Sequence, residues 1–208
     1  MIDSRETLQF YLDADKFAMG KTKRHPRLFR DEIWRFEILL RKCEYFTNTK
    51  TSKLLLMFSR FRLRRLSIKL GFSIPLNVFG AGMKINHYGT IVINGNSRIG
   101  RWCDLHPGVC VGDNSYISMG RVESHQVPTI GNYVYIGPGA KLFGKIEVGD
   151  GARIGANCVV NKDVAEGMVA FGNPVQVKES KHALITTADV SFEEEFIKAY
   201  PQYKKYLL

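Results

Sequence analysis

Histidine is the side chain whose ordinary pKa, about 6.5, suits it to take and return a proton near neutral pH. The chain has five, at positions 25, 87, 106, 125 and 182. His87 is set apart by its surroundings, KINHYGTIVING: Asn86 precedes it, and Gly89 lets another segment approach closely. A histidine so placed reads as functional rather than structural. His106 follows 19 residues later and His125 another 19, with Arg121 close to the latter. His25 and His182 are read as surface residues. Cys43, Cys103, Cys110 and Cys158 form no CxxC pair and no metal-ligand spacing. Cys103 and Cys158 read as small core residues, and no metal is expected.

Positioning such residues requires a scaffold, and the second half of the chain supplies one by repetition. Aliphatic residues recur every six positions at Ile93, Ile99, Leu105, Val111 and Ile117. After one break they resume as Ile130, Ile136, Leu142, Val148, Ile154 and Val160. Four places after each stands a small or aliphatic residue, such as Ser97, Cys103, Val109, Ser115, Ala140 or Ala152. That period predicts a triangular coil in which three hexapeptides make one turn, each giving a short strand and a corner. Each coil buries its apolar side against the next, and residues from about 75 to 174 make about five coils. His87 falls in the series 87, 93, 99, 105, where an aliphatic residue is expected. His106 lies about one turn further on, positioned to bind substrate or to tune His87. The thirteen residues from Ile117 to Ile130 break the register by one, so an extruded loop is expected near 118–129, carrying substrate contacts.

Ahead of the coils the sequence is helical. Asp3 and Glu6 have capping-box spacing before Leu8, Phe10 and Tyr11. Asp31–Tyr45 and Lys53–Leu70 carry apolar residues at helical intervals, and Gly71 ends the second. The net charge is +10, and residues 21–70 hold 15 Lys or Arg against 4 Asp or Glu. We read this excess as exposed basic helix faces, in preference to peripheral contact with an anionic membrane or a polyanionic glycan. No stretch approaches the roughly 18 apolar residues of a membrane span, and MIDSRETLQF lacks the pattern of a secretory signal. A reduced, cytoplasmic protein is expected, with no nucleic-acid partner. After residue 178, Ser191 is expected to cap a short helix running through Tyr200, packed over the open end of the coil.

The stretch NHYGTIVING resembles the catalytic segment of bacterial serine acetyltransferases. IGPGAKLFGKIEVGDGARIGANCVV and GNPVQV resemble the acetyl-CoA-binding coils and terminal G-x-P motif of that family. The resemblance covers residues 72–178, about half the chain, and such short chains also resemble acetyltransferases associated with sugars and capsular polysaccharides. It implies a mainly β fold with a helical N-terminus: a left-handed parallel β-helix of about five coils, with an extruded loop and a short C-terminal helix. The organisation expected is a helical region over 1–71, the β-helix over 72–178 and a tail over 179–208.

The implied activity is direct acetyl transfer from acetyl-CoA to a hydroxyl of L-serine or of a sugar, with His87 as general base. A homotrimer with sites between subunits is implied too. Asn86, His106, Arg121 and His125 are the expected acceptor contacts. Pro138, Gly139, Ala156, Asn157, Lys162, Asn173 and Pro174 are the expected coenzyme contacts, Lys162 meeting a phosphate. The chain departs from the family in three places. The aspartate that orients the histidine falls at Phe72, and residues 71–103 contain no Asp or Glu. The acid just before the histidine is Asn86, and the family's Arg-His pair falls at Gln126 and Val127. A non-catalytic scaffold is the alternative reading. The three-histidine zinc site of some hexapeptide carbonic anhydrases lacks its H-x4-H pair here.

Overall fold

The computed structural model describes residues 1–113, 126–179 and 190–207. Three helices open the chain: α1 (Arg5–Ala18), α2 (Glu32–Thr49) and α3 (Lys53–Leu70). Ser4 and Thr7, rather than Asp3 and Glu6, form the box that starts α1. Ser4 Oγ accepts from the Thr7 amide at 3.1 Å, and Thr7 Oγ1 accepts from the Ser4 amide at 2.9 Å. α2 runs past the expected end at Tyr45 to Thr49. α3 has the expected span and ends on Gly71, whose φ of 78° is the left-handed conformation that glycine adopts without strain.

Short strands follow. In chain order they are β1 (Phe72–Ser73), β2 (Lys84–Ile85), β3 (Ile91–Ile93), β4 (Arg98–Ile99), β5 (Asp104–Leu105), β6 (Cys110–Gly112) and β7 (Thr129–Ile130). Then come β8 (Tyr135–Ile136), β9 (Lys141–Phe143), β10 (Glu147–Val148), β11 (Arg153–Ile154), β12 (Val159–Val160), β13 (Met168–Phe171) and β14 (Gln176–Glu179). They pair in parallel along three faces: β1-β3-β6-β9-β12, β4-β7-β10 and β2-β5-β8-β11-β13. The first face stacks five rungs, matching the five coils expected. β14 turns back antiparallel on β13, so a hairpin finishes the far end of the stack.

The six-residue period translates into burial position by position. Ile99, Leu105, Val111, Ile130, Ile136, Leu142, Val148, Ile154 and Val160 point inward and are at most 3% exposed. The positions four later, Ser97, Cys103, Val109, Val134, Ala140, Ala152 and Cys158, are buried as well. Small residues there let successive turns meet at ladder distance, which explains why two are cysteines. Ser115 and Ile117 lie outside the described residues. Ile130 takes the rung above Ile99, a step of 31 residues where neighbouring rungs need 18. The extra residues therefore lie between Gly112 and Thr129, the interval that holds the expected loop near 118–129. The Gln126 amide donates to Asp113 Oδ1 at 3.1 Å, tying the two ends of this stretch together.

The helices close the other end of the stack. Phe36 of α2 meets Phe72 edge-on, ring centroids 5.1 Å apart, and both belong to the core that runs up through the coil. In α3 only Ser59, Leu63 and Leu70 are buried, while Leu54, Leu55, Phe58 and Phe61 stand in the open. The tail differs from expectation in both start and place. α4 (Val190–Ala199) already contains Ser191 in its first turn, so Ser191 is not its cap. It packs on the flank of the coil, with Phe196 against Trp102 and Phe17 at 5.2 and 5.4 Å. Glu193 fixes it there, accepting from Trp102 Nε1 and the Tyr133 hydroxyl, each at 2.6 Å.

Candidate functional site

His87 sits where the regular coil is lengthened. Ile85 is the inward residue of β2, 2% exposed and paired with Leu105, twenty residues on. The rung above has an 18-residue turn, so the corner between β2 and β3 holds two extra residues. They push the corner outward and leave His87 and Tyr88 exposed. The expectation that His87 occupies an aliphatic core position is thereby corrected. The longer corner returns to the stack at Gly89, whose φ is +136° and whose Cα lies against Pro107. A Cβ there would come within 2.9 Å of the proline Cβ.

The same corner repeats above it on every turn, and backbone bonds tie the levels together. Gly108 N–H donates to Thr90 O at 2.7 Å, Gly139 N–H to Pro107 O at 2.8 Å, and Asn157 N–H to Pro138 O at 2.8 Å. One edge of the prism thus carries His87, then His106, then Pro138 and Gly139, then Ala156 and Asn157. The β13–β14 turn sets Asn173 and Pro174 on that edge, because Ala170 pairs with Ile154. Lys162 follows β12 and so stands on a different edge, apart from the others. Arg121 and His125 lie outside the described residues.

The edge is suited to a long, thin ligand. Pro138, Ala156, Asn157, Asn173 and Pro174 are exposed, and none is bulky. Gly139 has φ +73°, and a Cβ there would collide with the Asn157 side chain. This level therefore requires a glycine, because the Asn157 side chain fills the space a Cβ would take. Lys141 Nζ donates to Gly108 O, placing a positive charge beside the edge.

The acid absent from residues 71–103 is supplied by the next rung. Asp104 is 3% exposed, and the Asn86 side-chain amide donates to its Oδ1. The same amide nitrogen lies 3.2 Å from His106 Nε2, and Lys84 Nζ lies 3.2 Å from Asp104 Oδ2. The Asn86 amide nitrogen donates, which suits an accepting Nε2, while the same Nε2 lies 3.5 Å from Asp104 Oδ1. The pKa of His106 agrees in direction. Burial lowers it, and the nearby His87 and Lys84 add to that, outweighing the opposite pull of Asp104. The His106 ring centroid lies 6.4 Å from that of His87 and 5.0 Å from that of Tyr135. Sequence reasoning missed Asp104, although it stands one 18-residue turn beyond Asn86. The lengthened corner hides the relation by setting Asp104 opposite Lys84 in the ladder.

Sequence reasoning also missed the contribution of the helical region. A cavity of about 320 Å³ opens beside His87, walled by Lys21, Arg30, Asp31 and Trp34 together with Asn86 and Tyr88. Lys21 and Asp31 form an ion pair at 2.8 Å across its rim. The Lys21 hydrogen bond and the Arg27 amide hold the Asp31 carboxyl below its usual range. The cavity therefore offers both signs of charge next to a ring that can move a proton. Among the described residues, no group of three His, Cys, Asp or Glu side chains converges closely enough to hold a metal ion.

Comparison with known proteins sets this geometry in context. Residues 128–162 match the bacterial transferase hexapeptide (six repeats) model. The chain is 39% identical over 103 residues to a serine acetyltransferase of Mycobacterium tuberculosis, covering 50% of this chain and 43% of that one. It is 40% identical over 93 residues to a serine acetyltransferase of Helicobacter pylori, covering 45% and 52%. The matches span about half the length of these relatives. Among solved structures, the serine acetyltransferase of Neisseria gonorrhoeae superposes with a TM-score of 0.65 at 21% identity, over 87% of this chain and 70% of that one. A serine acetyltransferase in complex with CoA gives 0.61 at 22% identity, over 84% and 71%. The fold is thus the left-handed parallel β-helix with leading helices, and the sequence is similar to serine acetyltransferases.

Proposed function

We propose that this protein is an acetyl-CoA-dependent O-acetyltransferase in which His87 is the general base. The observation that carries the reading is the single corner edge that holds His87 at its base and the small, exposed residues Pro138, Ala156, Asn157, Asn173 and Pro174 above it. The similarity to serine acetyltransferases, and to one solved with CoA, supports the donor. Pro138, Gly139, Ala156, Asn157, Asn173 and Pro174 would hold the pantetheine arm through backbone amides. Lys162, on another edge, would reach a coenzyme phosphate only across a subunit boundary, which fits the homotrimer this reading includes.

In the proposed reaction, an imidazole nitrogen of His87 takes the proton from the acceptor hydroxyl as its oxygen attacks the thioester carbonyl carbon. The tetrahedral adduct then expels the thiolate by breaking the C–S bond. His87 returns its proton to the sulfur, giving the acetyl ester and free thiol. Asp104, Asn86 and His106 set the shape and polarity of the floor beside His87. The acceptor is L-serine or a sugar hydroxyl. The relatives support the first, and the charged lining of the His87 cavity suits an acceptor bearing both an ammonium and a carboxylate. Asn86, Gln126 and Val127, standing where the family has charged residues, support the second.

The test is thiol release from acetyl-CoA across L-serine, simple sugars, amino sugars and oligosaccharides. Release with at least one acceptor is expected, and His87→Ala should lower its rate by about 10²–10⁴. Because His87 is exposed, the melting temperature should stay put. Normal turnover in that variant would sink the mechanism.

A further inference from the structure

α3 turns a second apolar face to the outside. At about 100° per residue, Ser59, Leu63 and Leu70 fall on one side, and these are its buried residues. The opposite side carries Leu54, Phe58, Phe61 and Ile68, between 58% and 75% exposed. Cations border this stripe on both flanks, Arg62 and Lys69 along one and Lys53, Arg60 and Arg64 along the other, with Arg65 within it. The helix contains no Asp or Glu. The Arg62 and Arg65 guanidinium groups lie 5.6 and 5.9 Å from the Phe58 and Phe61 ring centres, which keeps charge and apolar surface side by side.

The flank bearing Arg62 and Lys69 opens into a cavity of about 570 Å³ shared with α2. Its cationic lining is Arg35, Lys42, Arg62, Arg65 and Lys69, with His25 beside them. Glu32 pairs with Lys69 at 3.1 Å and lies 3.7 Å from Arg35. Among the described residues no acid forms an ion pair with Lys42, Arg62 or Arg65. Leu39 and Leu66 supply an apolar floor. The cavity is therefore a cationic cup beside an exposed apolar ridge.

We propose that this face of α3 docks on an anionic phospholipid bilayer, with the helix axis in the plane of the surface. Leu54, Phe58, Phe61 and Ile68 enter the headgroup–acyl boundary, and the cup receives an anionic headgroup. Both flanks of the ridge are cationic over about 21 Å of helix, the pattern of a helix lying in an interface. Among the described residues no helix is long and apolar enough to cross a membrane. A second copy pairing this face with itself is a poorer occupant, because like faces would set these cations against one another with no acid on the helix to answer them. Contact with an unlike face of another copy is read out by the elution of the variant below. The proposal is independent of acetyl transfer.

Sedimentation of the full chain with phosphatidylcholine vesicles, with and without about a third phosphatidylglycerol, tests it. Binding to the anionic vesicles should exceed binding to the neutral ones by about tenfold or more. It should fall at about 1 M salt, where the Debye length is about 3 Å. Phe58→Ser with Phe61→Ser should weaken anionic binding by about tenfold. Arg62→Gln with Arg65→Gln should erase the preference for anionic lipid. All four side chains are on the outer face, so circular dichroism and gel-filtration volume should not change. Absence of binding to anionic vesicles, or binding indifferent to both double variants, overturns the proposal. A Phe58→Ser/Phe61→Ser protein eluting as a smaller assembly overturns it too, by showing that the face joins copies of this chain.

Discussion

The coil and the helices that close its base both reach full burial, but with different chemistry. Inside the coil each rung contributes an aliphatic residue and a small one, and each level satisfies the backbone of the next. At the base there is no lower rung, and charged side chains take its place. Arg41 donates to the carbonyls of Phe79 at 3.1 Å and Gly80 at 2.7 Å. Asp15 accepts from the amides of Gly82 and Met83 at 2.8 and 2.9 Å, and Glu44 accepts from that of Asn77 at 2.8 Å. Arg41 binds Asp15 at 2.7 Å and Glu44 at 3.1 Å, which joins these caps into one buried network. Burial pulls the guanidinium pKa down, yet the charges of Asp15 and Glu44 outweigh it and hold Arg41 protonated. A repeating stack therefore needs polar groups where repetition stops, because a buried backbone group without a partner is costly.

The sharpest way to break this contrast is Arg41→Met. It strands two buried carboxylates and two carbonyls, and should cost roughly 3–5 kcal/mol in chemical denaturation. The corresponding change in the coil is Ile136→Ala, which removes methyl groups from a rung that is fully buried. It should cost roughly 2–5 kcal/mol, while Ile136→Val should cost only about 0.5–1.5 kcal/mol. A mild Arg41→Met would mean that water or rearranged groups satisfy the base of the coil.

The smallest effects are in pH dependence, where two groups on either side of β2 act with opposite sign. Glu37 is fully buried, and burial together with the negative charge of Asp15 raises its pKa well above normal, against the pull of Arg41. Above about pH 4.3 the unfolded chain has released this proton while the folded chain keeps it, so its stabilising contribution is lost as pH rises. His106 has a lowered pKa, so below about pH 6.5 the unfolded chain takes up a proton that the folded one resists. Its contribution makes stability fall as pH falls. Denaturation midpoints between about pH 5 and 8 should gain a more positive slope in Glu37→Gln and a less positive one in His106→Gln.

How far each region was legible follows from the range of the interactions that decide it. Ile136, Ala140 and Leu142 could be assigned inward positions from spacing alone, since every turn of the coil meets a near copy of itself. Asp104 could not be placed beside Asn86 and His106, because two inserted residues shift the ladder there. α3 was ambiguous for another reason: apolar residues occupy both of its sides, so period cannot tell the buried face from the open one. Glu37 and Arg41 gave no local signal of burial, since their surroundings are completed by α1 and the first turn of the coil.

Sequence alone determined that this chain contains a six-residue coil, about how many turns it makes and where it is interrupted. Those features depend on residues that repeat within one or two turns, and local spacing records them. Tertiary structure decided that His87 faces outward, that Asp104 lies among its neighbours, that Lys21, Asp31 and Trp34 wall its cavity, and which side of α3 meets solvent. Each of these depends on segments far apart in the chain that come together only when the helices close the base of the stack.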